Sequence, residues 1–197
     1  MVEENRRTVE HMNNTSSDEP VHTWERGPSD PPTLSDGPGT FVEVDVDAPL
    51  SVVWPLVIDL NTSAKYSEES RGARWAGGST GLTIGASFIG SNAHPAIGEW
   101  EVPCFVHRFE EQREFGWVTS DPANPGAQWC FTLTDKQTST QLRYSLILGP
   151  GPSGLTPAIE RMPEKEPRIL SRRLDEHRAN MQRVVEGIKG AAESSNS

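Results

Sequence analysis

The chain has 197 residues and a formal net charge of −10, enough length for one cored domain with some chain to spare. Its 28 acidic residues outnumber 18 basic ones and no basic stripe stands out, which argues against a nucleic-acid binder. Two cysteines, Cys104 and Cys130, make neither a disulfide framework nor a CxxC pair, and no window has the apolar run of a signal core or a membrane span, so a cytoplasmic protein without integral membrane association is predicted.

Residues 1–36 hold almost no aliphatic side chains and are rich in Glu, Asp, Asn, Ser, Thr and Pro. Such a stretch buries too little apolar surface to offset the entropy of ordering, and a disordered acidic tail is predicted there. Trp24 is its one large apolar residue: an isolated exposed ring, or a residue that docks the tail across a pocket mouth. A domain over 37–190 and a disordered end over 191–197 complete the expected organisation. In a reducing compartment the Asn-x-Ser/Thr triplets at Asn13, Asn14 and Asn61 stay unglycosylated.

Thr40 to Val46 alternates Phe41, Glu43 and Asp45 with Val42, Val44 and Val46, a half-buried strand. Asp47-Ala48-Pro49 breaks it. Leu50 to Leu60 reads as a short helix with Val53, Trp54 and Val57 on one side, and Asn61 to Glu68 as a second, capped by Asn61 or Thr62. The period then switches to two. Strands are predicted at 71–75, 87–90, 99–109, 114–119, 128–134 and 141–148, joined by short polar turns into an antiparallel meander. Gly85, Gly90, Gly98 and Gly116 are placed to let that sheet bend.

From Arg168 onward Leu170, Leu174, His177, Met181, Val184, Val185 and Ile188 recur at spacings of three and four, one apolar stripe on a long helix. Arg172, Arg173, Asp175, Glu176, Arg178 and Arg183 fall on its other faces. Pro157, Pro163 and Pro167 place its start near 163–168, behind a looser lid. The whole is an α+β chain of order strand, helix, helix, six strands, helix. One sheet with one substantial helix must curl to cover itself, and the helix belongs in its concave face above a cavity.

The segment Val46-Asp47-Ala48-Pro49, with Val53-Trp54 and Asp59 after it, resembles the opening of the START-like polyketide cyclase/dehydrase and lipid-transport superfamily (SRPBCC). So does Tyr66-Ser67-Glu68-Glu69, where many members read Trp-Ser-Pro-Glu. Arg74-Trp75-Ala76-Gly77-Gly78 and the run from Gly85 to Asn92 are similar to the second and third strands of its actinobacterial branch, and Trp100, Phe115, Trp129 and Arg178-Ala179-Asn180-Met181 fit the same pattern. Over roughly 40–190 the resemblance implies a helix-grip fold, a curved seven-stranded antiparallel sheet wrapped around a long C-terminal helix. It does not imply one reaction, since the superfamily holds carriers, lipid-transfer proteins, cyclases and aromatases.

Rings dominate any cavity built this way: Trp54, Tyr66, Trp75, Phe88, Trp100, Phe115, Trp117, Trp129, Phe131 and Tyr144 are candidate ligand contacts, or simply core. Leu174 and Met181 join them from the helix. His177 faces the sheet, where a neutral imidazole orients a carbonyl or moves a proton; the alternative is a core histidine bonded to a neighbour. Glu69 is a candidate acid or base at the cavity entrance if desolvated, and otherwise a solvated carboxylate. Asn92 is a ligand hydrogen-bonder or a turn residue, and Tyr144 is the remaining proton-moving candidate. Arg74 and Arg143 alternate with apolar residues and point outward.

Gly149-Pro150-Gly151-Pro152-Ser153-Gly154 fits GxGxxG by letter, but its two prolines remove amides that a phosphate needs and no parallel strand follows. His11, His22, His94, His107 and His177 show no metal-ligand spacing, and Cys104, on a face with Trp100, Val102 and Val106, reads as a small buried hydrophobe. Neither a cofactor nor a metal is expected. Three functions remain: a monomeric or homodimeric binder of a small hydrophobic molecule, a cyclase, aromatase or dehydratase using His177, Glu69 or Tyr144, and a partner protein with a vestigial pocket.

Overall fold

The computed structural model describes residues 32–196, so the greater part of the acidic tail, with Trp24 and its two Asn-x-Ser/Thr triplets, lies outside the described residues. The chain runs β1 (Gly39–Val46), α1 (Leu50–Ile58), α2 (Thr62–Tyr66), β2 (Ser70–Ala76), β3 (Ser87–His94), β4 (Gly98–Glu110), β5 (Glu114–Thr119), β6 (Ala127–Asp135), β7 (Thr140–Leu148), α3 (Thr156–Arg161) and α4 (Glu166–Ser195). The strands form one antiparallel sheet in the order β1-β7-β6-β5-β4-β3-β2. Consecutive strands pair, as short turns require, and β1 closes onto β7 across the whole domain.

Register explains where the apolar surface goes. Val42, Tyr144, Phe131, Phe115 and Phe109 stand opposite one another across five strands, and Leu146, Trp129, Trp117 and Val106 form the next row. Because side chains alternate faces, both rows point into the concavity. On β7 every second residue from Thr140 to Leu148 is buried. Register shifts near Ser70–Gly72 and between Val106 and Arg108 put bulges into β2 and β4. These irregularities mark where the ladder is interrupted and the strand can turn, and Gly116, one of the glycines expected to bend the sheet, stands opposite Arg108 at the β4 bulge.

α4 lies across the hollow. Leu170, His177, Met181, Val184, Val185, Ile188 and Ala192 are buried along one stripe. Two positions depart from the sequence reading. Arg173, assigned to an outer face, is buried, whereas Leu174 is only half-buried. Both residues are three or four positions from Leu170 and His177, so spacing alone does not separate them. The helix also continues through Ser195, so residues 191–195 are helical: Ala192 packs into the core and Glu193 accepts the Asp47 backbone N–H at 2.8 Å.

Other boundaries shift for local reasons. Leu34–Asp36, placed in the tail, forms a 3-10 turn with a Thr33–Asp36 capping box, and the Leu34 N–H donates to Glu166 at 2.7 Å. Asn61 caps nothing with its side chain; instead its Oδ1 accepts the Ala73 N–H at 3.0 Å. Gly72 permits this, having a left-handed φ of 116° and no Cβ to strike that oxygen. Gly187 plays a similar part in α4, where any Cβ would overlap the Tyr66 ring of α2. β3 runs on to His94, which puts Asn92 in a strand rather than a turn, and the segment expected as a loose lid contains α3. Among the described residues no helix is long and apolar enough to cross a membrane.

Candidate functional site

Between α4 and the concave face lies a cavity of about 630 Å³. Its floor is aromatic. Trp117 sits at the centre, 5.1 Å from Phe115 and 6.1–6.3 Å from Phe88, Phe131, Trp129 and Tyr144 between ring centroids. Tyr144 and Phe131 stack at 3.9 Å with 14° between their planes. Strand register brings most of these rings together, with Phe115, Phe131 and Tyr144 opposite one another in one row and Trp117 and Trp129 in the next, while Phe88 reaches Trp117 from β3. Trp100 and Asn92, themselves opposite one another on β4 and β3, line another part of the wall.

The helix supplies Arg173, His177, Asn180 and Met181 to the same cavity. His177 is buried and stands edge-on to Trp129, 5.1 Å between centroids. Burial first, then the Arg173 charge, holds its pKa well below 6.5, so the imidazole is neutral at physiological pH. Tyr144 is pushed far above the usual phenol range by burial and keeps its proton. Burial likewise raises the Cys104 thiol to about 12. A thiol so protonated is packing, not a nucleophile.

Glu69 is buried in the bend just before β2, where its N–H donates to Ser67 Oγ and its carbonyl accepts the Ala93 N–H at 2.9 Å. Its Oε1 accepts from Arg173 at 2.5 Å. Arg173 also reaches Glu176 at 3.2 Å. Burial works against ionisation of Glu176, but hydrogen bonds from Arg172 and Arg173 hold its carboxyl below the usual range. Glu69 Oε2 is shielded and has no hydrogen-bond partner among the described residues. A buried acceptor left unpaired costs about 1–3 kcal/mol, more when charged. The cavity therefore has two ends of different chemistry, an aromatic floor and a polar corner of Glu69, Arg173 and His177.

Several sequence candidates stand on this wall: Glu69, Phe88, Asn92, Trp100, Phe115, Trp117, Trp129, Phe131, Tyr144, His177 and Met181. Four do not. Trp54 is buried against Phe109, 6.1 Å between centroids, as part of the solid core. Tyr66 wedges against α4 at Gly187. Trp75 lies on edge strand β2, edge-on to Phe88 and outside the cavity wall. Leu174 is turned aside by the phase that points Arg173 inward. The sequence reading missed Arg173 and Asn180 as wall residues. Their signal was stereochemical: Asn180 is three residues from His177 and one from Met181, at the stripe's edge. Arg74 and Arg143 lie outside, Arg74 paired with Glu101 and Arg143 over the Phe41 ring at 3.8 Å.

No family model matches the chain, and no curated protein matches its sequence. Solved structures match its fold. The Polyketide_cyc-like protein Cgl2372 from Corynebacterium glutamicum superposes with a TM-score of 0.55 at 23% identity, over 80% of this chain and 90% of that one. The di-domain ARO/CYC StfQ from the steffimycin biosynthetic pathway gives 0.59 at 11% identity, over 80% of this chain and 51% of that one. Ara h 8.0201 gives 0.52 at 10% identity, over 79% and 97%. Identities this low establish architecture: the chain has the helix-grip fold of START-like proteins, a curved antiparallel sheet around a long C-terminal helix.

Proposed function

We propose that this protein binds a small hydrophobic molecule, of lipid, polyketide or aromatic type, between the curved sheet and α4. The observation that carries the reading is the hollow itself. Native interiors pack densely, so a cavity of about 630 Å³ with a largely apolar wall is room that the fold keeps for a guest. Flat rings on its floor favour fused-ring or chain-like guests. A cytoplasmic location and a monomeric or homodimeric state belong to the same proposal.

Protein isolated from its own host and sprayed natively should carry a mass increment that disappears on denaturation. The recombinant chain should likewise take up Nile red, a neutral apolar dye, with enhanced fluorescence. His177→Ala should weaken retention, because the imidazole lines the wall. A bare native mass together with no dye uptake would sink the reading.

A cyclase, aromatase or dehydratase is the second reading, favoured by one feature. A buried neutral imidazole shares the cavity with a carboxylate and a guanidinium, so a base and an orienting cation face one bound chain. Against it, Arg173 and Glu69 already engage each other, which leaves His177 as the free proton acceptor of the set. Turnover of a linear polyketide mimic that vanishes in His177→Ala, with dye binding retained, would move the assignment to the enzyme.

A further inference from the structure

Gly90 stands in the middle of β3 on the cavity side, between Phe88 and Asn92, and its strand partners Ala73 and Val102 line the same wall. A glycine inside a strand weakens it, because it loses more chain entropy on folding and packs nothing, so something must call for it. The usual internal demands are not met among the described residues. Its φ lies outside the left-handed region that Gly72 and Gly85 occupy. Its own pairing is regular on both sides, the β2 shift falling between Ser70 and Gly72. Nor does the protein crowd it: a Cβ there would meet Val102 Cγ1 at 3.6 Å, Cys104 Sγ at 3.7 Å and Asn92 Nδ2 at 3.9 Å, all ordinary contact distances. Gly116 and Gly187 differ, since a Cβ on Gly116 would press on the Trp129 carbonyl at 3.1 Å and one on Gly187 would overlap the Tyr66 ring.

We infer that Gly90 is a specificity-determining residue of the cavity: its missing side chain leaves a recess in which a flat, fused-ring guest lies against the bare β3 backbone. The inference rests on the binding reading above and narrows it to ring systems over single extended chains. Phe88, two residues before Gly90 on the same face, has its ring 6.1 Å from that of Trp117, so the recess prolongs the aromatic floor. Asn92, two residues after, lines the wall with a side-chain amide that has no hydrogen-bond partner among the described residues. A carbonyl or hydroxyl on the rim of such a guest would meet that amide. A single alkyl chain is narrow enough to pass a filled recess, and a rigid ring system is not. The absent side chain thus sets the girth of the guest.

Nile red, a flat fused-ring dye, and decyl alcohol, a single chain, test it on the full chain, the first by fluorescence titration and the second by calorimetry. Gly90→Val should weaken Nile red at least about tenfold, the effect of methyl groups forced into occupied space, and decyl alcohol by less than about threefold. Gly90→Ala should weaken Nile red about threefold. Its urea midpoint should hold or rise, because alanine suits an extended backbone and reduces the freedom of the unfolded chain. Gly190→Ala, on the exposed side of α4 where a Cβ meets nothing within 4 Å, should leave both affinities unchanged. A lower midpoint in Gly90→Ala would overturn the inference and give the glycine to the bend of the sheet. Unchanged Nile red affinity in the Gly90 variants, or equal loss of both guests in Gly90→Val, would also overturn it, while the binding reading stood. Uptake of neither guest by the unaltered chain would overturn that reading and the inference with it. Gly90→Ala decides the matter alone if Gly90→Val does not fold.

Discussion

The two halves of α4 share one helix and one stripe yet face different surroundings. From Val184 to Ala192 the stripe meets solid protein: Val185, Ile188 and Ala192 are fully buried, and Gly187 lets the Tyr66 ring press against the helix backbone. From Arg173 to Met181 the same stripe roofs a hollow and carries a guanidinium, an imidazole and a thioether. The C-terminal half anchors, and so it is built of residues that fill space. The N-terminal half is relieved of that duty, and polar side chains survive there because an ion pair and a cavity receive them. Where a helix stops packing, its sequence begins to describe a guest.

The contrast can be broken by substitution. Ile188→Ala should cost about 3–4 kcal/mol, the range for emptying a packed core site, and should leave the relative affinities for apolar dyes intact. Met181→Ala enlarges a space that already exists, so it should cost roughly 2 kcal/mol and alter which dyes bind. Chemical denaturation paired with Nile red titration reads both quantities. Equal costs, or a larger cost at Met181, would show that the two halves do not differ as described.

A smaller effect sharpens the comparison through pH. His177 has its folded pKa held below the free value of 6.5, so folding favours the neutral form. Its contribution to stability is complete above 6.5 and is lost as pH falls from there toward the folded pKa, where the unfolded chain takes a proton that the fold refuses. The loss is at most about 1.4 kcal/mol per pH unit for one proton. His177→Gln should flatten the acid side of the stability curve by that slope. Melting curves of both proteins between about pH 5 and pH 7.5 give the difference, and parallel curves would mean that His177 does not titrate as its burial dictates.

Alternation made the sheet legible, because Leu142, Tyr144, Leu146 and Leu148 can all be buried only on one face of a strand. It placed Phe115, Trp117, Trp129 and Phe131 on a common wall for the same reason. The misplaced rings show the limit. Trp54, Tyr66 and Trp75 are as aromatic as the wall residues, and only the pairing of elements decides which rings meet the hollow. Arg173 was concealed more deeply. Burying a guanidinium is prohibitive without a counter-ion, and its counter-ion, Glu69, is 104 residues away in sequence. A preference for the apolar neighbour, Leu174, was reasonable on local chemistry and wrong on tertiary chemistry. The end of α4 was hidden differently, since Ala191, Ala192 and Glu193 carry no bulky stripe, and it took the Asp47 amide to show what holds them.

That attachment has a twin. Near its beginning α4 receives the Leu34 amide on Glu166, just before β1 starts; near its end Glu193 receives the Asp47 amide and Lys189 donates to the Asp45 carbonyl, just where β1 stops. The helix is thus riveted at both tips to a single strand, like a handle that cannot swing. Two segments that border the hollow carry neither attachment, the exposed Ile97 of the β3–β4 hairpin and the Pro152–Leu155 turn, and they are the expected margin for traffic in and out. Amide exchange should slow at those margin segments when Nile red is bound and stay unchanged at the riveted tips. Slowing confined to the tips would mean that the handle, after all, is the door.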